Sequence, residues 1–158
     1  MNLSLNGYKF LLRGFGAGLL PVAPGTWGSA AAVLLAWPLA MCSPDFFRLE
    51  LCLLVVAATW VCATGSALLR DEWGEDPSQT VLDEMAGMWL ALIGLPFHWH
   101  YWLAAFFLFR FFDIFKPLCI RSLEKIGDGW GVVMDDLLAG VYANMVIQLF
   151  LCLGLFGR

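Results

Sequence analysis

The run from Leu51 to Leu69 contains no charged residue, and it constrains the fold more than any other part of the sequence. As an α-helix it would be about 29 Å long, close to the thickness of the hydrocarbon core of a bilayer. The rest of the chain has a similar character, because 61% of all residues are hydrophobic and only 14% are charged. A soluble domain carries about 25% charged residues. The sequence therefore predicts an integral membrane protein, with residues 1–158 forming a single membrane-embedded domain.

Further apolar segments predict an all-α bundle of about four to five membrane helices. They cover residues 30–41, 81–95, 99–109 and 137–156. The two middle segments are short and flank an aromatic turn, as in a helical hairpin at a membrane interface. In the last segment, small and polar residues such as Gly140 and Asn144 recur on one face. This face is expected to pack inward, because close backbone approach and side-chain hydrogen bonds hold membrane helices together.

Positive charge is distributed unequally between the two ends of this predicted bundle. Seven of the nine lysines and arginines fall on the side that carries residues 1–28, 70–80 and 110–136. Cytoplasmic loops of membrane proteins carry an excess of Lys and Arg, so this side is expected to face the cytoplasm.

Carboxylates are concentrated at the same helix ends. Asp83 and Glu84 begin one apolar helix, Asp113 ends the next, and Asp135 and Asp136 begin the last. In a folded bundle these ends converge, and clustered carboxylates repel one another unless a divalent cation neutralises them. Oxygen-only ligands select Mg²⁺ or a similar hard ion. All five carboxylates are therefore candidate metal ligands and candidate catalytic groups.

Two cations accompany the carboxylates. Arg110 and Lys116 share one helix face with Asp113, since residues three apart are neighbours on a helix. Pro117 disfavours helix at Lys116 and predicts a turn there. A guanidinium fork and an ammonium point charge suit a phosphate group. Arg110 and Lys116 are therefore candidate phosphate-binding residues.

The first part of the chain, residues 1–28, is rich in glycine and proline and predicts a structured loop. Ser29 is a candidate N-cap for the helix that follows. Thr26 and Ser29 are also candidate phosphate-binding residues, although capping is the more common use of such hydroxyls. The glycines of this loop do not have nucleotide-binding spacing, and no P-loop lysine follows them.

Two features of the composition narrow the function further. The net charge is −4 and no basic cluster is interleaved with stacking groups, so we expect no nucleic-acid partner. The five cysteines form no C-x-x-C pair and lie mostly within apolar runs, so we expect them to be structural.

Four sequence blocks follow one another over nearly the whole chain. They are PVAPGTWGS at 21–29, VLDEMAG at 81–87, FRFFDIFKP at 109–117, and GWGVVMDD at 129–136 followed by Ala139 and Gly140. The arginine, aspartate, lysine and proline of the third block and the paired aspartates of the fourth are together specific. In this order the blocks resemble the phosphatidylglycerophosphatase A family.

This resemblance implies a Mg²⁺-dependent phosphatase of the bacterial inner membrane, multi-pass, with its active site facing the cytoplasm. Its substrate would be a membrane phospholipid, phosphatidylglycerophosphate, and its product phosphatidylglycerol. When the family's motifs are matched to this sequence, its acidic positions correspond to the five carboxylates named above. Its cationic positions correspond to Arg110 and Lys116. We expect attack by a metal-activated water with one carboxylate as base, because no Ser/His/Asp or Cys-x5-Arg arrangement is present. A covalent aspartyl-phosphate intermediate is the alternative.

Two other functions fit parts of the pattern. A CDP-alcohol phosphotransferase also uses membrane-embedded aspartates and metal, but its D-G-x2-A-R-x8-G-x3-D-x3-D spacing is absent. A small ion- or proton-coupled transporter would account for polar residues within helices. The charges, however, cluster at one interface instead of along a path through the midplane, and the sequence has no inverted repeat.

Overall fold

A computed structural model describes residues 2–74, 79–117, 120 and 130–154 of the chain. Every regular element in these ranges is helical, which confirms the all-α prediction. The α-helices are α1 (Asn2–Leu12), α2 (Pro24–Cys42), α3 (Phe47–Trp73), α4 (Leu82–Leu92), α5 (Trp99–Phe115) and α6 (Trp130–Cys152), and a 3-10 helix (Gly14–Leu19) lies between α1 and α2.

Three of these helices are long and apolar enough to cross a membrane, namely α2, α3, and α6 from Val133 onward. Helix α3 extends the uncharged run at both ends, and its exposed side chains include Leu53, Val56 and Trp60. Such a face suits contact with lipid. Helices α4 and α5 have 11 and 17 residues, fewer than the ~20 that span a bilayer. The membrane bundle is thus confirmed, and the count of four to five crossings stays a prediction.

Helix α4 lies at the centre of the bundle and packs against α2, α3, α5 and α6. Nine of its eleven residues are buried, so it is apolar on every side, as a central helix must be. Its only charged residues, Asp83 and Glu84, occupy its first turn. Because four helices surround α4, their ends are brought to these two carboxylates.

Two glycines allow α4 and α6 to cross in backbone contact. A Cβ atom on Gly140 would collide with the carbonyl oxygen of Gly87, and one on Gly87 would lie 2.6 Å from the carbonyl oxygen of Asp136. On the same face of α6, the Asn144 amide donates hydrogen bonds of 2.9 and 2.8 Å to two carbonyl oxygens at the C-terminal end of α4. The small, polar face of α6 therefore packs inward, as the sequence predicts.

The N-terminal region differs from the loop predicted for residues 1–28. Residues 2–12 form α1 and residues 14–19 the 3-10 helix, and α2 already begins at Pro24, after Ala23 with φ +49°. A proline at the first helical position has its φ angle preset for the helix. Ser29 therefore lies inside α2, where its Oγ donates a hydrogen bond to the Gly25 carbonyl oxygen at 2.8 Å. The prediction of Ser29 as an N-cap is wrong.

Helix α6 also begins earlier than predicted, at Trp130. Asp135 and Asp136 consequently lie in its second turn and not at its N-terminus. Their position in the bundle is set by packing against α4, not by the favourable end of a helix dipole.

Gly140→Ala tests the crossing of α4 and α6. The added Cβ meets the main chain of α4, which cannot swing aside as a side chain can, so we expect a loss of about 1–3 kcal/mol in the free energy of unfolding. Thermal unfolding of the protein in detergent would show this as a lower midpoint. The matched control is Gly7→Ala in α1, where a Cβ would have nothing within 4 Å. Equal midpoints for the two variants would contradict the close crossing.

Candidate active site

Three of the five predicted carboxylates come together at the first turn of α4. Asp83, Glu84 and Asp136 each offer an oxygen atom, and these atoms lie within 4.8 Å of one another. Asp83 and Asp136 are only 3% and 5% exposed. Two sequence-distant helix segments supply these groups, so their proximity depends on the crossing of α4 and α6. We call Asp83, Glu84 and Asp136 the carboxylate cluster.

The carboxylate cluster has the chemistry of a site for a hard divalent cation. Like charges at this separation in a buried site repel one another strongly, and an ion of opposite sign removes the repulsion. In addition, Glu84 Oε2 is buried and has no hydrogen-bond partner among the described residues. A buried carboxylate oxygen without a partner is costly. An oxygen-only donor set of this kind fits Mg²⁺.

The other two predicted carboxylates each form an ion pair with a predicted phosphate-binding cation. Arg110 Nη1 lies 2.6 Å from Asp113 Oδ2, and Lys116 Nζ lies 2.5 Å from Asp135 Oδ2. Asp113 also interacts electrostatically with Asp136. Asp135 directly precedes Asp136 in the sequence, so both ion pairs border the carboxylate cluster.

The end of α5 directs Lys116 toward α6. Helix α5 ends at Phe115, and Lys116 adopts the left-handed conformation with φ +45°. Pro117 accounts for this turn, as predicted from the sequence, since it disfavours helix at the preceding residue. A left-handed conformation costs a non-glycine residue about 1–2 kcal/mol. The ion pair with Asp135 then joins the end of α5 to the second turn of α6.

The first turns of α2 contact both Glu84 and Arg110. A Cβ atom on Gly25 would collide with the Glu84 carboxylate and would lie 3.2 Å from Arg110 Nη1. Ser29 is fully buried, and its hydroxyl accepts a long hydrogen bond of 3.4 Å from Arg110 Nη1 while donating to the Gly25 carbonyl oxygen. Ser29 thus holds Arg110 in place. Sequence reasoning did not single out Gly25, for which the only signal is its position in the first turn of a proline-initiated helix.

The remaining predicted phosphate-binding residue, Thr26, lies beside Gly25 in α2 and is half-buried. Among the described contacts, none joins its side chain to the carboxylate cluster or to Arg110. Arg110 itself has a buried Nε atom without a partner among the described residues. The site therefore presents an unsatisfied acceptor, Glu84 Oε2, and an unsatisfied donor, Arg110 Nε.

A sequence model of the phosphatidylglycerophosphatase A family matches residues 10–151. A Bacteroides thetaiotaomicron protein, provisionally named a phosphatidylinositol-3-phosphatase, is 44% identical over 139 residues, covering 85% of this chain and 87% of its own. Phosphatidylglycerophosphatase A of Haemophilus influenzae is 39% identical over 146 residues, covering 90% of this chain and 88% of its own. Phosphatidylglycerophosphatase A of Escherichia coli K12 is 34% identical over 144 residues, covering 90% of this chain and 82% of its own. No solved structure gives a significant match. The family match spans every residue of the site.

Asp136→Asn tests the repulsion within the carboxylate cluster without any assay of function. Removing one of three buried, mutually repelling charges should stabilise the metal-free protein, by about 1 kcal/mol. We expect a higher midpoint of thermal unfolding than wild type in detergent with EDTA. Asp71→Asn, at the exposed end of α3, should leave the midpoint unchanged. A destabilised Asp136→Asn variant under these conditions would argue against a strained carboxylate cluster.

Proposed function

Because the chain belongs to the phosphatidylglycerophosphatase A family of phosphatases, we propose that it removes the terminal phosphate of phosphatidylglycerophosphate and leaves phosphatidylglycerol. Two relatives, at 39% and 34% identity, are named phosphatidylglycerophosphatase A, which supports this substrate. The structural observation that carries the proposal is the adjacency of the carboxylate cluster to Arg110. One part can hold a cation and the other a phosphate oxygen, which is the pairing that phosphoryl transfer requires.

Mg²⁺ is the proposed cofactor, held by Asp83, Glu84 and Asp136. Support comes from the oxygen-only donor set and from the unpartnered Glu84 Oε2 atom. When bound, the ion supplies neutralisation of phosphate charge and activation of water. In this proposal the cofactor also relieves the repulsion within the carboxylate cluster.

The phosphate group is proposed to displace carboxylates from the two cations. Arg110 would bind it through its guanidinium N–H groups, among them the unpartnered Nε, because a guanidinium fork can bind two oxygens. Lys116 would add a point charge in place of its contact with Asp135. Asp113, which interacts with both Arg110 and Asp136, would then be free to accept the proton of the attacking water. Attack by water, with Asp113 as base, is thus the proposed route, and an aspartyl-phosphate is its alternative.

The proposed location is the bacterial inner membrane, with the site on the cytoplasmic side. The site lies where α2 and α4 begin, where α5 ends and near the start of α6, so all its parts share one end of the bundle. Lys9 and Arg13 lie at this end as well, through their contacts with Glu72 and Gln79. Excess positive charge favours the cytoplasmic side.

A second candidate substrate is phosphatidylinositol 3-phosphate, favoured by the 44% identity to the Bacteroides thetaiotaomicron relative. Both lipids present a phosphate monoester, so the same cation and guanidinium chemistry would serve. They differ in the alcohol that leaves, a glycerol chain in one and an inositol ring in the other.

Phosphate release from each lipid tests the proposal. Purified protein in mixed micelles with Mg²⁺ should release phosphate from phosphatidylglycerophosphate with a higher kcat/KM than from phosphatidylinositol 3-phosphate at equal surface concentration. EDTA should abolish release, and added Mg²⁺ should restore it. Asp136→Asn should lower kcat more than about a hundredfold, because loss of a residue that only supports a metal ligand already lowers activity 10–100-fold. The control Asp71→Asn should leave kcat unchanged. Faster hydrolysis of the inositol lipid would make phosphatidylinositol 3-phosphate the favoured substrate. Full activity in EDTA would refute the proposed dependence on Mg²⁺.

Thiol labelling in intact cells tests the orientation. In a background without native cysteines, Asp71→Cys should be shielded from a membrane-impermeant reagent until the cells are permeabilised. His98→Cys, exposed at the start of α5 and at the opposite end of the bundle, should react at once. The reverse pattern would place the site on the outer surface, where a lipid made at the inner leaflet could not reach it without flipping.

A further inference from the structure

The N-terminal helix and the 3-10 helix form a pocket that shares no residue with the candidate active site. Its volume is about 260 Å³, slightly below the 300–1,000 Å³ range typical of small-molecule sites. This size suits a lipid headgroup better than a larger ligand. The pocket is lined by Asn6, Lys9, Phe10, Arg13, Gly16 and Leu19.

Both cations of this pocket are held in place by contacts with the end of α3 and the segment after it. Lys9 Nζ pairs with Glu72 Oε1 at 2.5 Å. The Arg13 guanidinium lies 4.9 Å from the centre of the Trp73 ring and donates hydrogen bonds of 3.1 and 2.8 Å to Gln79 Oε1. Arg13 has five N–H donors, and these described bonds use Nε and one Nη2 hydrogen. The cations are therefore positioned for a ligand at low entropic cost.

The surroundings of the pocket are apolar and exposed. Phe10 and Leu19, which line it, are 55% and 60% exposed, and the exposed side chains of Phe15, Leu20 and Val22 follow in the sequence. Cations beside exposed aromatic and aliphatic side chains are typical of segments that lie in the interface of a bilayer. A ligand of this pocket would have an anionic group for the cations and acyl chains for the apolar rim.

We propose that the pocket binds the phosphodiester headgroup of an anionic phospholipid, as a second lipid site distinct from the substrate site. With Glu72 included, Lys9 and Arg13 leave one net positive charge. That charge matches the single negative charge of a phosphodiester and not the two of a phosphate monoester. The pocket thus favours a bulk anionic lipid over the substrate proposed above.

The main chain beside this pocket contacts the start of α4. The Val81 amide donates a 2.9 Å hydrogen bond to the Leu12 carbonyl oxygen. A Cβ atom on Gly14 would lie 2.7 Å from the Val81 side chain and 2.9 Å from the Met85 sulfur. The pocket segment therefore packs directly on the start of α4, two residues before Asp83.

Lipid retention measured by native mass spectrometry tests the second site. Full-length protein in detergent, given equal amounts of phosphatidylglycerol and phosphatidylcholine with the same acyl chains, should retain one phosphatidylglycerol selectively. Arg13→Gln should weaken this retention about tenfold, as expected for the loss of a charge-assisted hydrogen bond. Asn6→Asp should do the same, because a second carboxylate beside Lys9 and Arg13 removes the net positive charge of the pocket. Equal retention of the two lipids by wild type would overturn the proposal.

Two control variants locate the bound lipid. Arg70→Gln, an exposed cation near the end of α3 that does not line the pocket, should retain phosphatidylglycerol as wild type does. Arg110→Gln should also retain it, because the lipid is not in the active site. Loss in either control, or displacement of the lipid by its soluble deacylated headgroup at equal concentration, would refute the assignment. Retention needs no hydrolysis, so a failure of the proposed phosphatase activity would leave this result independent.

Discussion

The backbone contact between Gly87 and Gly140 determines where the charged groups of this protein meet. Gly87 lies four residues after Asp83, and Gly140 lies four residues after Asp136, so each carboxylate is one helical turn from the crossing point on the same helix face. Because the helices touch through main-chain atoms at the glycines, their carboxylates one turn away are forced into one another's neighbourhood. The repulsion within the carboxylate cluster therefore follows directly from the tight packing of α4 against α6.

The other charged groups beside the carboxylate cluster form ion pairs with one another. Ionisable groups at membrane depth are costly, and they persist where they are paired or functional. Arg110 and Lys116 are paired with carboxylates, whereas the three members of the carboxylate cluster lie beside one another. In the proposed function, a phosphate would replace Asp113 and Asp135 on the two cations without leaving either cation unpaired. The ion pairs limit the cost of these buried charges in the absence of a ligand.

The sequence predicted which residues gather at one end of the bundle, but not how they are paired. The apolar run at 51–69 predicted α3, and the spacing of Arg110 and Asp113 predicted that they share one helix face, because both depend on helical periodicity alone. The division of the five carboxylates into a cluster and two ion pairs depends on the crossing of α4 with α6, which no local pattern encodes. Helix α1 was missed because tertiary contacts support it, among them Lys9 with Glu72, more than intrinsic propensity does. The roles of these residues in binding metal and phosphate stay predictions.

The shortness of α4 explains how a lipid headgroup could reach a site at this depth. With only 11 residues, α4 is shorter than a helix that spans a bilayer, so the carboxylates in its first turn lie closer to the middle of the bundle than the end of a spanning helix would. The longer α2 and α5 pass beside it and expose aromatic side chains near the site, Trp27 on α2 and Phe111 and Phe115 on α5, each at least half exposed. Exposed rings of this kind suit contact with acyl chains. In the proposed function, a lipid would keep its chains among these rings while its phosphate binds Arg110, so the substrate would not have to leave the membrane.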